Sequence, residues 1–309
     1  MIITASYSEA GWRVGPLLAD RGQEFGDGVF ETLRLTHDLT FPLGVLHKQR
    51  LCRGLVRLDF PIDTLRLVDV ALGDIGSIAG LSALREEAER ASRNIQLKLI
   101  VSRQLNHSVS ADAHKWPRGY QIGANHSANL QIQLRLAPAW NQWVSGWCVG
   151  VNPLTLADQP LLAGVKHLNR LEQVMARHAF AADWQESLML NRSGDVIEGC
   201  MSNIYLLEGD RLVTPILDNS GVEGVAKQWL LQHADDLDVV CQQGILDVRR
   251  IYAADGLLFS NTLNGFSWAK KIDDFEYSAE KQQLAQRVQQ RIQSMFISMF
   301  SSGNSDHEN

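Results

Sequence analysis

One lysine in this sequence is set apart by its surroundings. Lys166 lies in Leu162-Ala163-Gly164-Val165-Lys166-His167-Leu168-Asn169-Arg170-Leu171-Glu172-Gln173, between a Gly-Val strand end and the start of a helical pattern. A lysine amine is a useful nucleophile only when its pocket lowers its pKa from about 10.4. A second stretch, Asp195-Val196-Ile197-Glu198-Gly199-Cys200-Met201-Ser202-Asn203-Ile204-Tyr205, offers a carboxylate and an amide close together. Further on, Gly221-Val222-Glu223-Gly224 leads directly into a helical run. Backbone N–H groups at a helix N-terminus bind phosphate well. Phe259-Ser260-Asn261-Thr262-Leu263 puts polar residues after an apolar strand, and Arg50 lies in His47-Lys48-Gln49-Arg50-Leu51. The planar fork of an arginine pairs with phosphate oxygens.

These residues need elements to hold them. Asp27-Gly28 before the alternating run Val29 to Leu35 reads as a turn into a strand. Leu46, Leu51, Leu55 and Leu58 recur at helical spacing and place Arg50 on a helix that stops before Pro61. A second helical pattern covers Leu81 to Ser92, and Ile95 to Val101 alternates as a strand. Between His107 and Asn129 the periodicity dissolves into polar, turn-rich sequence, read as a linker or loop between domains. Leu130 to Leu136 then reads as a strand opening a second domain, followed by a short strand at Trp147 to Val151. Leu168 to Ala182 has the pattern of an amphipathic helix. Leu188-Met189-Leu190 and Ile204-Tyr205-Leu206-Leu207 read as strands, and Val225 to His233 and Glu280 to Phe300 as helices.

The bulk properties narrow the function. At 309 residues the chain suits two domains of ordinary size. A net charge of -6 argues against nucleic acid as the default partner, since phosphate backbones call for a basic face. Cys52, Cys148, Cys200 and Cys241 are widely spaced with no C-x-x-C pair, which argues against zinc or a disulfide framework and fits a reducing compartment. The first residues carry no basic, apolar leader pattern, and no stretch approaches the ~20 apolar residues of a membrane helix. The expectation is a cytoplasmic protein with no membrane contact and no metal.

In combination, these motifs resemble those of the class-IV aminotransferases, the fold-type IV pyridoxal-phosphate (PLP) enzymes. The match runs through Glu198, the small Cys200, Asn203, Ile204-Tyr205, Thr214, the Gly221–Gly224 turn with Val225, and Lys227. Arg21-Gly22 and Phe25-Gly26-Asp27-Gly28-Val29-Phe30-Glu31-Thr32 match the family's N-terminal motif. The resemblance implies an α/β (mixed α+β) fold of two domains, like D-amino acid aminotransferase, with PLP in the cleft between them. The boundaries read as 1–117 for a smaller domain, 118–128 for a linker and 129–309 for a larger, cofactor-binding domain. By the same resemblance Lys166 is the Schiff-base lysine and Glu198 the partner of the pyridine nitrogen. Asn203, Val222, Gly224 and Val225 line the cofactor, Arg50 meets the phosphate, and Asn261 or Thr262 adds a phosphate contact. A homodimer is implied as well.

The family hosts several reactions, among them branched-chain aminotransferases, D-amino acid aminotransferases and aminodeoxychorismate lyases. The wording around Lys166 and Glu198 is most similar to the lyase branch, whose substrate is 4-amino-4-deoxychorismate. That substrate carries two carboxylates, for which Arg103, Arg118 and Arg170 are candidates, with Thr32 as a further contact. One departure stands out: Ser102-Arg103 continues into Gln104-Leu105-Asn106 rather than a glycine-rich loop, and only Arg118-Gly119-Tyr120 matches the usual ending. An aminotransferase using the same lysine is the alternative reading, and a PLP carrier without turnover a third.

Overall fold

A computed structural model describes residues 2–8, 11–14, 21–104, 120–122, 127–140 and 145–301. Five strands form a first sheet: β1 (Ile2–Ser8), β2 (Gly11–Val14), β3 (Gly28–Leu35), β4 (Ile95–Arg103) and β5 (Ala128–Leu136), in the order β2-β1-β5-β4-β3. Helices α1 (Arg21–Phe25), α2 (Gly44–Arg57), α3 (Thr64–Gly73) and α4 (Leu81–Arg90) lie between these strands in sequence. Successive strand side chains point to opposite faces. Accordingly Val29, Leu33, Leu97, Leu99, Leu130, Ile132 and Leu134 bury one face against Leu51 and Leu55 of α2, Val68 of α3 and Leu84 of α4. The opposite face carries Phe30, Thr32, Lys98, Gln131 and Gln133, with Thr32 directly across from Lys98.

The second sheet takes β6 (Trp147–Thr155), β7 (Glu186–Leu190), β8 (Val196–Gly199), β9 (Asn203–Glu208), β10 (Arg211–Pro215), β11 (Val240–Gly244), β12 (Gly256–Asn261) and β13 (Gly265–Ile272) in the order β11-β10-β9-β12-β13-β6-β7-β8, with β14 (Phe275–Glu276) against β13. Its helices are α5 (Leu171–His178), α6 (Val225–Gln232), α7 (Val248–Ala253) and α8 (Ala279–Ser298). Trp229 and Leu230 of α6 and Ile292 and Phe296 of α8 pack on Leu258, Phe266 and Trp268. A further cluster joins Trp147, Val149, Ile204, Leu206, Phe259 and Ile251. Among the described residues no helix is long and apolar enough to cross a membrane.

Two expectations need correction. Leu130 to Leu136 does not open a second unit: β5 pairs with both β1 and β4, so the expected boundary at 118–128 falls between neighbouring strands of one sheet and runs into the first residue of β5. Alternation identifies a strand but not its partner. The change of sheet falls instead between Leu136 and Trp147. The helix expected over 168–182 spans only Leu171–His178, because the segment before Leu171 is tied to β3 instead: Leu168 N–H donates to Gly28 O at 2.9 Å, and His167 bridges Val29.

Candidate active site

Lys166 sits on a short loop clamped from two sides. On one side Phe30 N–H donates to Lys166 O at 2.9 Å. On the other, Gly164 N–H donates to Gly221 O at 2.9 Å and Glu223 N–H to Gly164 O at 3.1 Å. Gly164 adopts φ +77°, a backbone conformation that favours glycine. The Lys166 ammonium lies 4.5 Å from the centroid of the Phe30 ring. Burial, then the charges of Arg50 and Arg170, bring its pKa down to about 7 against the opposing pull of Glu31 and Glu198. Near neutrality it therefore exists in both protonation states.

Glu198, at the end of β8, is 4% exposed. Its Oε2 accepts Val222 N–H at 2.8 Å. Burial pushes its pKa up to about 7, although Arg170, the Val222 N–H and Lys166 oppose the shift. A buried carboxylate of this kind suits a cationic ring nitrogen, whose charge would favour its ionised form.

The third part is the turn Gly221–Gly224 ahead of α6. Asn203 Nδ2 donates to Val222 O at 2.8 Å, and a Cβ on Gly224 would stand 1.7 Å from Asn203 Oδ1. Gly224 is the N-cap of α6, whose first N–H groups have no partner within the helix and are suited to phosphate oxygens. Arg50 approaches from α2 and donates to Glu223 O at 3.1 Å. Its Nε donates to Glu31 Oε1 at 2.8 Å and its Nη2 to Glu31 Oε2, while His47 Nδ1 lies 2.7 Å from the same carboxylate. Burial would raise the Glu31 pKa, but Arg50 and His47 outweigh it and hold it at about 2. Glu31→Gln leaves Arg50 buried without its counter-charge, at an expected cost of about 3 kcal/mol at neutral pH. The folded-state pKa of Glu31 is depressed, so this stabilisation is complete above about 4.5 and is lost as pH falls toward 2. Urea unfolding of both proteins at stepped pH should show the gap between them closing over that window.

The other expected residues divide. Thr32 lies on the Phe30 face of β3, and its carbonyl accepts the Thr262 hydroxyl at 3.1 Å. Asn261 Oδ1 accepts Leu263 N–H at 3.0 Å and Asn264 N–H at 2.8 Å, so it shapes the β12–β13 turn, while its Nδ2 donates to Met201 O at 3.4 Å beside the Glu198 strand. Arg34 clasps this turn to the first sheet by donating to Leu263 O and, at 2.6 Å, to Pro138 O. Arg170 donates to His167 O at 2.9 Å and Val165 O at 3.4 Å, bracing the lysine loop within electrostatic reach of Glu198. Arg103 is not free to meet a substrate. It is 1% exposed, and its guanidinium donates to Asp27, to Asp59 O at 3.1 Å and to Leu58 O at 2.6 Å, against the Phe60 ring. Its work is to fasten β4 to the turn after α2. Arg118 lies outside the described residues.

Sequence reading missed three contributors. Glu31 and His47 stood inside quoted motifs, but only the packing of α2 on β3 shows that they hold Arg50. Alternation alone marks Lys98 as one strand residue among others; its ammonium lies 5.3 Å from the Phe30 ring, on the face that Phe30 shares with Lys166. Burial, then Arg135, lowers its pKa. The β3–β4 register would have been the signal. A cavity of about 810 Å³ is lined by Gly22–Gly26, Leu162, Ala163, His167–Val174 and Asn219–Gly221, but not by Lys166, Glu198 or Arg50.

Residues 28–272 match the family described as amino-transferase class IV. An aminodeoxychorismate lyase of Vibrio harveyi is 26% identical over 254 residues, covering 80% of this chain and 84% of that protein. The crystal structure of 4-amino-4-deoxychorismate lyase from Pseudomonas aeruginosa superposes with a TM-score of 0.76 at 31% identity, covering 93% of this chain and 96% of that one. A PLP-bound hypothetical aminotransferase from Mycobacterium tuberculosis gives a TM-score of 0.70 at 20% identity, covering 95% and 99%.

Proposed function

The chain belongs to the class-IV aminotransferase family, and from that premise we propose that it is a PLP-dependent lyase converting 4-amino-4-deoxychorismate to 4-aminobenzoate and pyruvate. The observation that carries the cofactor reading is a lysine with its pKa near 7, set between a buried carboxylate and a glycine turn that a single Cβ would fill. The lyase branch is supported by the wording around Lys166 and by near-full-length likeness to the Pseudomonas aeruginosa lyase.

Lys166, Glu198 with Arg170 nearby, and the Arg50–Gly224–Val225 cradle would hold the lysine end, the ring nitrogen and the phosphate. Bound PLP would supply an electron sink for the carbon bearing the substrate amine. Lys166 titrates near neutrality, so one tethered side chain can remove the proton from that carbon and return one to the methylene of the departing three-carbon unit. Thr32 and Lys98 present a hydroxyl and an ammonium on the Phe30 face, suited to one substrate carboxylate. Arg118, on the β4–β5 connection, is proposed for the other. The proposal extends to a homodimer acting in the cytoplasm, by family resemblance and cysteine usage.

The test supplies purified, PLP-treated protein with freshly generated 4-amino-4-deoxychorismate. Equal amounts of 4-aminobenzoate and pyruvate are expected. No product from protein that retains PLP, together with transfer of amine from an amino acid to a 2-oxo acid, would replace the lyase with an aminotransferase.

A further inference from the structure

Glu198 and Asn203 serve different ends of the site, yet one tight turn, Gly199–Ser202, ties them together. Beneath that turn lies Glu186, the first residue of β7, 1% exposed. Its Oε1 accepts the N–H groups of Ser187 at 2.9 Å and Cys200 at 2.8 Å. Its Oε2 accepts Met201 N–H at 3.2 Å and the Ser202 hydroxyl at 2.7 Å. These donors are all neutral, and the three N–H groups cannot reverse their roles. An amide nitrogen in place of Oε2 would face Met201 N–H donor to donor, which costs more in a buried site than in water. Gly199 leaves the room for this arrangement: a Cβ there would stand 2.4 Å from Ser202 Oγ and 3.0 Å from the Glu186 carboxyl carbon.

We propose that Glu186 is a positioning residue: by gathering the Cys200–Ser202 turn onto its carboxylate it fixes Glu198 and Asn203 relative to each other, and so the ring-nitrogen and phosphate ends of the site. The proposal rests on the PLP reading above. Glu186 also acts through charge. It lies within electrostatic reach of Glu198, alongside Arg170 and Lys166, and pushes the Glu198 pKa up. Burial raises the Glu186 pKa, while the Ser187 N–H, the Ser202 hydroxyl and the Met201 and Cys200 N–H groups favour its ionised form; when it is ionised, a cation beside Glu198 is favoured by two carboxylates.

The test uses the full chain and the variants Glu186→Gln and Ser202→Ala, with Glu208→Gln, a half-exposed partner of Arg250, as control. Three readouts are compared: PLP affinity, the pH midpoint of the absorption band of the lysine-bound cofactor, and amide exchange at Cys200 and Met201 in cofactor-free protein. Glu186→Gln is expected to weaken PLP binding at least ~10-fold, as loss of charge-assisted hydrogen bonds does. It should move the midpoint to lower pH and speed exchange at both amides. Ser202→Ala should weaken binding ~3-fold, and the control should change nothing. Wild-type affinity and midpoint in Glu186→Gln overturn the proposal, whatever the exchange rates. If that variant does not fold, wild-type values in Ser202→Ala overturn it. A wild-type protein that takes up no PLP sinks the functional reading instead; unchanged exchange in Glu186→Gln would then overturn the positioning role as well.

Discussion

Lys166→Met is expected to abolish turnover and to raise the melting temperature of the cofactor-free protein. The two effects have one origin. Burial, with Arg50 and Arg170 nearby, holds the Lys166 pKa at about 7 against an ordinary 10.5. A folded-state pKa below the unfolded one means that folding penalises the ammonium form. That penalty is complete below pH 7 and fades as pH rises toward the unfolded value. At about 1.4 kcal/mol per pH unit the shift amounts to roughly 5 kcal/mol. Methionine keeps the unbranched stem and drops the charge, so about 3 kcal/mol should be recovered after relaxation. For a chain of this size that is roughly 5 °C. The gain should be largest at about pH 6 and small at about pH 9.5. Turnover should fall at least ~10³-fold, since the amine is both the attachment point and the acid/base group. Melting curves at the two pH values and the product assay check both halves. An unchanged melting temperature at the lower pH would show that the amine is not desolvated. Residual turnover near wild type would remove Lys166 from the chemistry.

This trade of stability for reactivity explains which parts of the site could be read from the sequence. Lys166, Glu198, Asn203 and Gly224 stand in contiguous motifs, and the structure brings all four to the Gly221–Gly224 turn through direct or single-residue links. The strands flanking them were legible because their apolar residues alternate or cluster, as at Ile95–Val101 and Ile204–Leu207. What the sequence hid were relations across elements. Glu31 reads as a strand carboxylate until α2 lays Arg50 and His47 against it. Arg103 reads as a substrate cation until Asp27 and the carbonyls of Leu58 and Asp59 enclose it. Glu186 is one acidic residue among many until three backbone N–H groups and a hydroxyl converge on it. β5 shows the same limit at the level of the fold: its alternation is plain, but its pairing with β1 and β4 depends on strands far away in sequence.

Gly224→Ala should cost the protein its cofactor affinity through one contact. The backbone at Gly224 has φ -70° and ψ 141°, which any residue accepts, so the glycine is not there for conformational freedom. It is there for space, because an added Cβ would stand 1.7 Å from Asn203 Oδ1. Asn203 is 6% exposed, so its side chain cannot swing away without disturbing its neighbours. Moving it breaks the 2.8 Å hydrogen bond to Val222 O, and Val222 N–H is the group that Glu198 accepts at 2.8 Å. A single methyl therefore disturbs the phosphate turn and the ring-nitrogen carboxylate together. PLP binding should weaken at least ~30-fold, about 2 kcal/mol. Asn203→Ala alone should weaken it too, by loss of the same hydrogen bond, but less, because the turn is not pushed. The decisive protein is the double variant. With the amide gone, the methyl at position 224 meets no Oδ1, so the two losses should be far from additive and the double variant should bind PLP more tightly than Gly224→Ala alone. Equilibrium dialysis of PLP against the four proteins measures this directly. Additive losses would mean that the glycine serves the phosphate itself, by letting the backbone come close, rather than the amide that holds the turn.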